Sequence, residues 1–271
     1  MNAPTPEVLD LFAVPGAPVP LPGGTGGSHR AGDLVLSPGR DEQVQAWLSP
    51  VLAHLAVRLD ENPARRPRDL RVAMPVPARD GSWVVGGWAA SRYEPETVTC
   101  RDLEVTLAAG RVLHAQLAAA VRSRPPGLDA RADQWSRAEA LAFGPGHAML
   151  AAAAGTPAAA AVRRVEPHLG DVPLGPEQLV HADLAGNVLL DRRGAPVVID
   201  VSPSWRPVAW AEAIAVVDSV VWFGASLEVL GGWSTGPARQ ALLRATIFRA
   251  FADRPFDAAA YAPLLGVIAS T

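Results

Sequence analysis

Apolar positions along this chain follow two periods. In the first third they come in short runs. Leu34-Val35-Leu36-Ser37 is bounded by Asp33 and by Pro38-Gly39, which predicts a strand. From Asp41 to Leu59 the spacing lengthens. Val44, Leu48, Val51, Leu52 and Leu55 recur every three or four residues, which predicts a helix despite Pro50. Arg71–Pro77 and Ser82–Ala89 flank Arg79-Asp80-Gly81 and predict a hairpin. Beyond Arg92 the helical period dominates. Leu103, Leu107, Leu113, Leu117 and Val121 share one helix face, with Thr99 as the expected cap and Asp102 three residues on. A second helix runs from Asp133 to Phe143 and stops at Gly144-Pro145. The alanine-rich stretch Met149–Val162 is broken at Gly155-Thr156-Pro157 into two helical pieces, and further helices lie between Val208 and Leu265. The pattern divides the chain into a small β-rich part, residues 1–92, and a larger helical part, residues 93–271.

One segment interrupts the helical regime. Leu179-Val180-His181-Ala182-Asp183 leads to Asn187-Val188-Leu189-Leu190, a turn at Asp191-Arg192-Arg193-Gly194, and the apolar run Pro196-Val197-Val198-Ile199-Asp200. This reads as a β-hairpin with Asp183, Asn187 and Asp200 at its ends. All three carry hard oxygen donors of the kind Mg²⁺ prefers. The hairpin brings Asn187 and Asp200 side by side, close to a further carboxylate. Phosphoryl transfer uses such a set: an Asp to orient the attacking hydroxyl, and Asn plus Asp to hold Mg²⁺ on the nucleotide. The bland alternative is a polar hairpin with solvated ends. Asp200 argues against it, because a carboxylate closing an apolar strand needs a partner. His181 reads as a brace for the loop.

These residues resemble the signature of the aminoglycoside phosphotransferase family of the protein-kinase-like superfamily: His-Gly-Asp-Leu, then Asn-Val-Leu, then an apolar strand ending Ile-Asp. The resemblance implies a two-lobed α+β fold with a β-rich nucleotide-binding lobe and a helical lobe. It implies catalysis by Asp183, magnesium ligation by Asn187 and Asp200, and ATP as phosphoryl donor to a hydroxyl of an unidentified small molecule. Adenine would lie against the backbone near Trp88 to Arg92. The trailing Val201–Pro207 segment is similar to an actinobacterial branch of the superfamily. Within Gly23–Gly27, Gly24, Gly26 and Gly27 are candidates to cradle phosphates through backbone amides, with Arg30 beside them. The run is not a Walker A motif, since Gly-Lys-Ser/Thr is missing.

Three departures stand out. Ala182 occupies the family's glycine position. Only Leu184, Ala185 and Gly186 separate Asp183 from Asn187, where kinases place four residues. The third-strand lysine that meets nucleotide phosphates is missing; all 24 basic residues are arginine. Ser37 stands on the matching strand, flanked by Arg30 and Arg40, and Glu42 would have been the lysine's ion-pair partner. A second reading therefore stays open: a pseudokinase, or a nucleotide-binding or interaction module with little or no turnover.

Composition narrows the classes further. Apolar residues make up 49% and charged residues 19%, too apolar a balance for disorder. A net charge of -3 gives no basic excess for nucleic acid or an anionic membrane surface. The lone Cys100 excludes an internal disulfide. Met1–Glu7 lacks a signal peptide's basic start and apolar run, and Ala211–Leu230 is interrupted by Glu212, Asp218 and Glu228, so a buried helix and a cytoplasmic protein are expected. Glu212 and Asp218 either bind a cationic acceptor or face water. His114 and the late tryptophans read as core. Oligomeric state is left open.

Overall fold

The computed structural model describes residues 3–22, 27–253 and 255–269. In chain order the elements are α1 (Pro6–Leu11), β1 (Val19–Pro20), β2 (His29–Ala31), β3 (Leu34–Ser37), α2 (Glu42–Asp60), β4 (Arg71–Val72), β5 (Pro75–Val76), β6 (Ala89–Arg92) and β7 (Val98–Thr99). There follow α3 (Leu103–Ala120), α4 (Gln134–Phe143), α5 (Gly146–Ala153), α6 (Ala159–Val165), β8 (Glu177–His181), β9 (Val188–Leu190), β10 (Pro196–Val198), β11 (Pro203–Pro207), α7 (Val208–Trp222), α8 (Gly236–Ala252) and α9 (Ala258–Ile268). Two compact units result. One holds the residues up to Thr99 together with Gly186–Asp200; the other holds Cys100–Ala185 and the residues from Val201 onward.

The described residues of the first unit form two sheets. One has the order β1-β2-β3-β6-β5. Its inward residues Leu34, Leu36 and Ala90 pack with Val8, Phe12 and Trp88 into a small apolar core. The other has the order β4-β10-β9-β7, with β10 parallel to β4 and antiparallel to β9. The turn between β9 and β10 is set by Asp191, whose Oδ1 accepts from the N–H groups of Arg193 (2.8 Å) and Ala195 (2.9 Å). The Asp80-Gly81 turn forms as expected, but the strand after it begins later. Gly86 (φ 54°) and Gly87 (φ 80°) make a second tight turn, so pairing with β5 starts at Ala90.

The second unit is mainly helical, with β8 and β11 paired antiparallel. α3, α4 and α9 start where short acidic side chains satisfy free N–H groups. Asp102, rather than Thr99, caps α3 by accepting from the Val105 N–H at 3.1 Å. Thr99 is drawn into β7 opposite Leu189. Asp133 caps α4 through the Ser136 N–H at 2.7 Å. Trp210 is fully buried on α7, edge-on to Phe143 (5.4 Å) and Phe248 (5.1 Å). No helix among the described residues is long and apolar enough to cross a membrane.

Candidate functional site

The hairpin places two of the three expected site residues in the first unit. Val188 pairs with Val198, and the Ile199 N–H donates to the Asn187 carbonyl at 2.9 Å, so Asn187 faces Ile199 and Asp200 stands one position beyond. The strand itself ends at Val198. Asp200 is not the buried strand end the sequence suggested. It is an exposed loop residue in the left-handed region (φ 50°), a conformation Asp tolerates better than most side chains. Its partner is Arg40, whose guanidinium donates to Asp200 Oδ1 at 2.5 Å. Arg40 sits just before Asp41, the residue that caps α2, and its own N–H donates to the Gly87 carbonyl at 3.0 Å.

Arg30 is engaged elsewhere. Its Nε donates to the Gly32 carbonyl at 3.1 Å and its guanidinium lies over the Tyr93 ring at 4.2 Å. Gly27 adopts φ 95°, and its carbonyl lies 2.8 Å from His29 Nδ1. Gly24 and Gly26 lie outside the described residues. Ser37 Oγ lies 3.3 Å from Ser28 Oγ, and Glu42 is exposed. The stretch expected to meet adenine is mostly β6, which is paired on one side to β3 and on the other to β5. Within that stretch Ala90 and Ser91 are paired on both sides.

Asp183 belongs to the second unit. It follows β8, and the loop it sits in is built around His181. That fully buried ring accepts at Nδ1 from the N–H groups of Asp183 (3.2 Å) and Ser202 (3.3 Å). His181's own N–H donates to His114 Nε2 at 3.1 Å. Ala182 keeps its backbone out of the left-handed region, so alanine at the family's glycine position adds no strain. Gly186, at φ 85°, supplies the left-handed turn in the shortened loop.

Arg249 on α8 donates to Asp183 Oδ1 at 2.5 Å and also to Asp218 Oδ2 on α7. The side chains of Arg249 and Asp218 are each only 5% exposed, against 31% for Asp183. Burial lifts the Asp218 carboxyl to about 7 even beside Arg249. The two carboxylates raise the guanidinium above its ordinary value, so it stays charged. Asp218 thus faces neither water nor an acceptor, and Glu212 is held by Arg111 at 2.7 Å. The exposed side of Asp183 opens on a pocket lined by Arg131, Trp135, Glu139, Ser202, Ser204 and Phe248. Arg249 is the site residue the sequence reading missed. The signal was present: it shares a helix face with Leu242 and Ala245, and a charge on a buried stripe requires a buried partner.

Among the described residues, no three His, Cys, Asp or Glu side chains gather as a metal-binding group. The Asp200 carboxylate and Asn187 amide nevertheless fit magnesium in donor chemistry, since that ion takes few protein ligands and completes its shell with water and phosphate oxygens.

No protein-family model matches the chain, and neither does any curated protein. Solved structures do. A thermostable mutant of aminoglycoside phosphotransferase APH(4)-Ia matches with a TM-score of 0.52 at 18% identity, over 97% of this chain and 97% of that one. Choline kinase LicA from Streptococcus pneumoniae matches with a TM-score of 0.50 at 14% identity, over 98% and 97%. Amicoumacin kinase hAmiN, in complex with AMP-PNP, Ca²⁺ and Ami, matches with a TM-score of 0.50 at 15% identity, over 90% and 81%. The chain has the two-lobed α+β, protein-kinase-like fold. At these identities the likeness is one of fold, and function has to be argued from the residues.

Proposed function

We propose that this protein is a magnesium- and ATP-dependent phosphotransferase that acts on a hydroxyl of a small molecule. The observation that carries the reading is the hairpin register, which sets Asn187 and Asp200 at the same end of β9 and β10 in a fold shared with small-molecule kinases. Bound there, Mg²⁺ would neutralise charge on the nucleotide's phosphates. Asp183 would accept a hydrogen bond from the acceptor hydroxyl and orient its oxygen for attack. Arg249 would hold that carboxylate in one orientation through their 2.5 Å contact. The pocket lining offers the acceptor an aromatic face at Trp135, while its Arg131 and Glu139 are paired with Asp133 and Arg206.

The second reading, a nucleotide-binding module without turnover, is favoured by one fact: no lysine is present to meet the phosphates. Two measurements separate the readings. Thermal shift with ATP should depend on Mg²⁺, and that dependence should vanish in Asp200→Ala. ATP turnover with an accepted hydroxyl compound should fall by about 10²–10⁴-fold in Asp183→Asn, the usual worth of a positioned proton acceptor, with nucleotide binding retained. A shift indifferent to magnesium, or turnover unchanged in Asp183→Asn, would overturn the phosphotransferase.

A further inference from the structure

A kinase-like chain without lysine must find its phosphate-facing cation among arginines, and Arg30 and Arg40 flank the strand that would carry it. The strand that would carry the lysine is β3, and it ends at Ser37. Arg30, on the neighbouring strand, is committed to the Gly32 carbonyl and the Tyr93 ring. Arg40 is different. It lies three residues past the end of β3, and its N–H is fixed to the Gly87 carbonyl. Its guanidinium rests on Asp200, the carboxylate to which the proposed function assigns the metal. The contact is only partly shielded, with side chains 23% and 40% exposed, so neither group is locked in the core. Asp200 holds a left-handed backbone there, the kind of conformation kept where a side chain must be aimed.

A guanidinium and a divalent cation compete for the same carboxylate oxygen. Both are positive, so simultaneous occupancy brings like charges together. We propose that Arg40 is a metal-displaced stand-in for the missing lysine. Without nucleotide it caps Asp200 and neutralises it. With magnesium and nucleotide bound, Asp200 would hold the metal and the released Arg40 guanidinium would turn to the phosphates. A planar fork suits that second task, because arginine binds phosphate oxygens in bidentate fashion. The exchange would keep Asp200 from taking up metal before the nucleotide is present, so metal and nucleotide should bind together. The inference rests on the phosphotransferase reading.

The test uses Mn²⁺ as an EPR-visible probe and AMP-PNP as a non-hydrolysed nucleotide, with the full-length protein and Arg40→Gln, Arg40→Lys and Arg40→Gln/Asp200→Ala. In Arg40→Gln, Mn²⁺ without nucleotide should bind several-fold more tightly, because Asp200 has lost its competitor. AMP-PNP with metal should bind about tenfold more weakly, the size of one charge-assisted hydrogen bond. Arg40→Lys should recover most of the nucleotide affinity. The gain in Mn²⁺ affinity should disappear in the double variant. Unchanged or weaker Mn²⁺ binding in Arg40→Gln overturns the exchange, and so does unchanged AMP-PNP binding. If the wild-type protein binds neither Mn²⁺ nor AMP-PNP, the phosphotransferase reading falls first and takes this inference with it.

Discussion

His114 lies beneath the loop that carries Asp183 and cannot easily take a proton. Burial, and next to it the charge of neighbouring His181, push its imidazole down to about 3 from an ordinary 6.5. Its Nε2 accepts from the His181 N–H, while no hydrogen-bond partner of Nδ1 is found among the described residues. The unfolded chain protonates this histidine below about pH 6.5, whereas the folded protein leaves it neutral until near pH 3. The group's contribution is therefore complete above pH 6.5 and is lost as pH falls. One proton is worth about 1.4 kcal/mol per pH unit, so acidification from pH 6.5 to 4.5 should remove about 2 kcal/mol through this group. Urea denaturation across that range should show a shallower acid limb in His114→Gln, which keeps an acceptor for His181 but does not titrate. An equal slope in both proteins would dismiss this account. Arg249 gives a sharper case. Removing it in Arg249→Met leaves the buried Asp218 carboxylate without its guanidinium and should cost about 3–5 kcal/mol in denaturant titration. Adding Asp218→Leu should restore much of that stability, because apolar packing replaces buried ion pairs well. Turnover should stay low, since Asp183 then lacks its contact with Arg249.

The same loop shows how one element's surface fixes another's position. On α3, Gly110 leaves room for Leu184, the residue after Asp183; a Cβ at Gly110 would stand 2.5 Å from Leu184 Cδ1. Leu184 is fully buried and has little freedom to yield. Gly110→Val should therefore cost about 1–3 kcal/mol by overpacking, despite the better helix propensity of its replacement. Leu184→Ala in the same chain should return part of the loss; simple additivity of the two single costs would rule out the contact as the cause. Local patterns made much of this legible. Asp41 and Asp133 cap the helices they were expected to open, and the break at Gly155-Thr156-Pro157 separates α5 from α6. The β9–β10 hairpin could be read because two apolar runs flank an Asp-Arg-Arg-Gly turn. Register beyond the last paired residue could not, and Asp200 left the strand for a left-handed loop. The run after Asp80-Gly81 looked equally strand-like, but Gly86 and Gly87 turn it back on itself. Pairs distant in sequence left no local trace. Arg40 and Asp200 lie 160 residues apart, and Arg249 and Asp183 lie 66 apart.

The chain builds its first unit from two separated stretches, and this has a consequence for folding. In the sheet β4-β10-β9-β7, the outer strands β4 and β7 are two residues long each. β4 pairs with β10, and β7 pairs with β9. Neither could hold its backbone hydrogen bonds without the hairpin, since isolated two-residue strands do not persist in water. That hairpin is made after the helices α3 to α6, so its pairing closes over a long intervening segment, a slow kind of contact to form. The sheet β1-β2-β3-β6-β5 has its own apolar core and does not need the hairpin. Residues 1–99 expressed alone should therefore be half built. Amide hydrogen exchange should protect β2, β3 and β6 but leave Arg71, Val72, Val98 and Thr99 exchanging like open chain. Joining residues 186–200 to that fragment through a flexible Gly/Ser linker should restore protection at those four positions. It should also restore Mn²⁺ binding if Asn187 and Asp200 hold the metal by themselves. Protection of Arg71 and Val72 in the fragment without the hairpin would show that α2 alone orders β4, and the hairpin would lose its place as the piece that completes this unit.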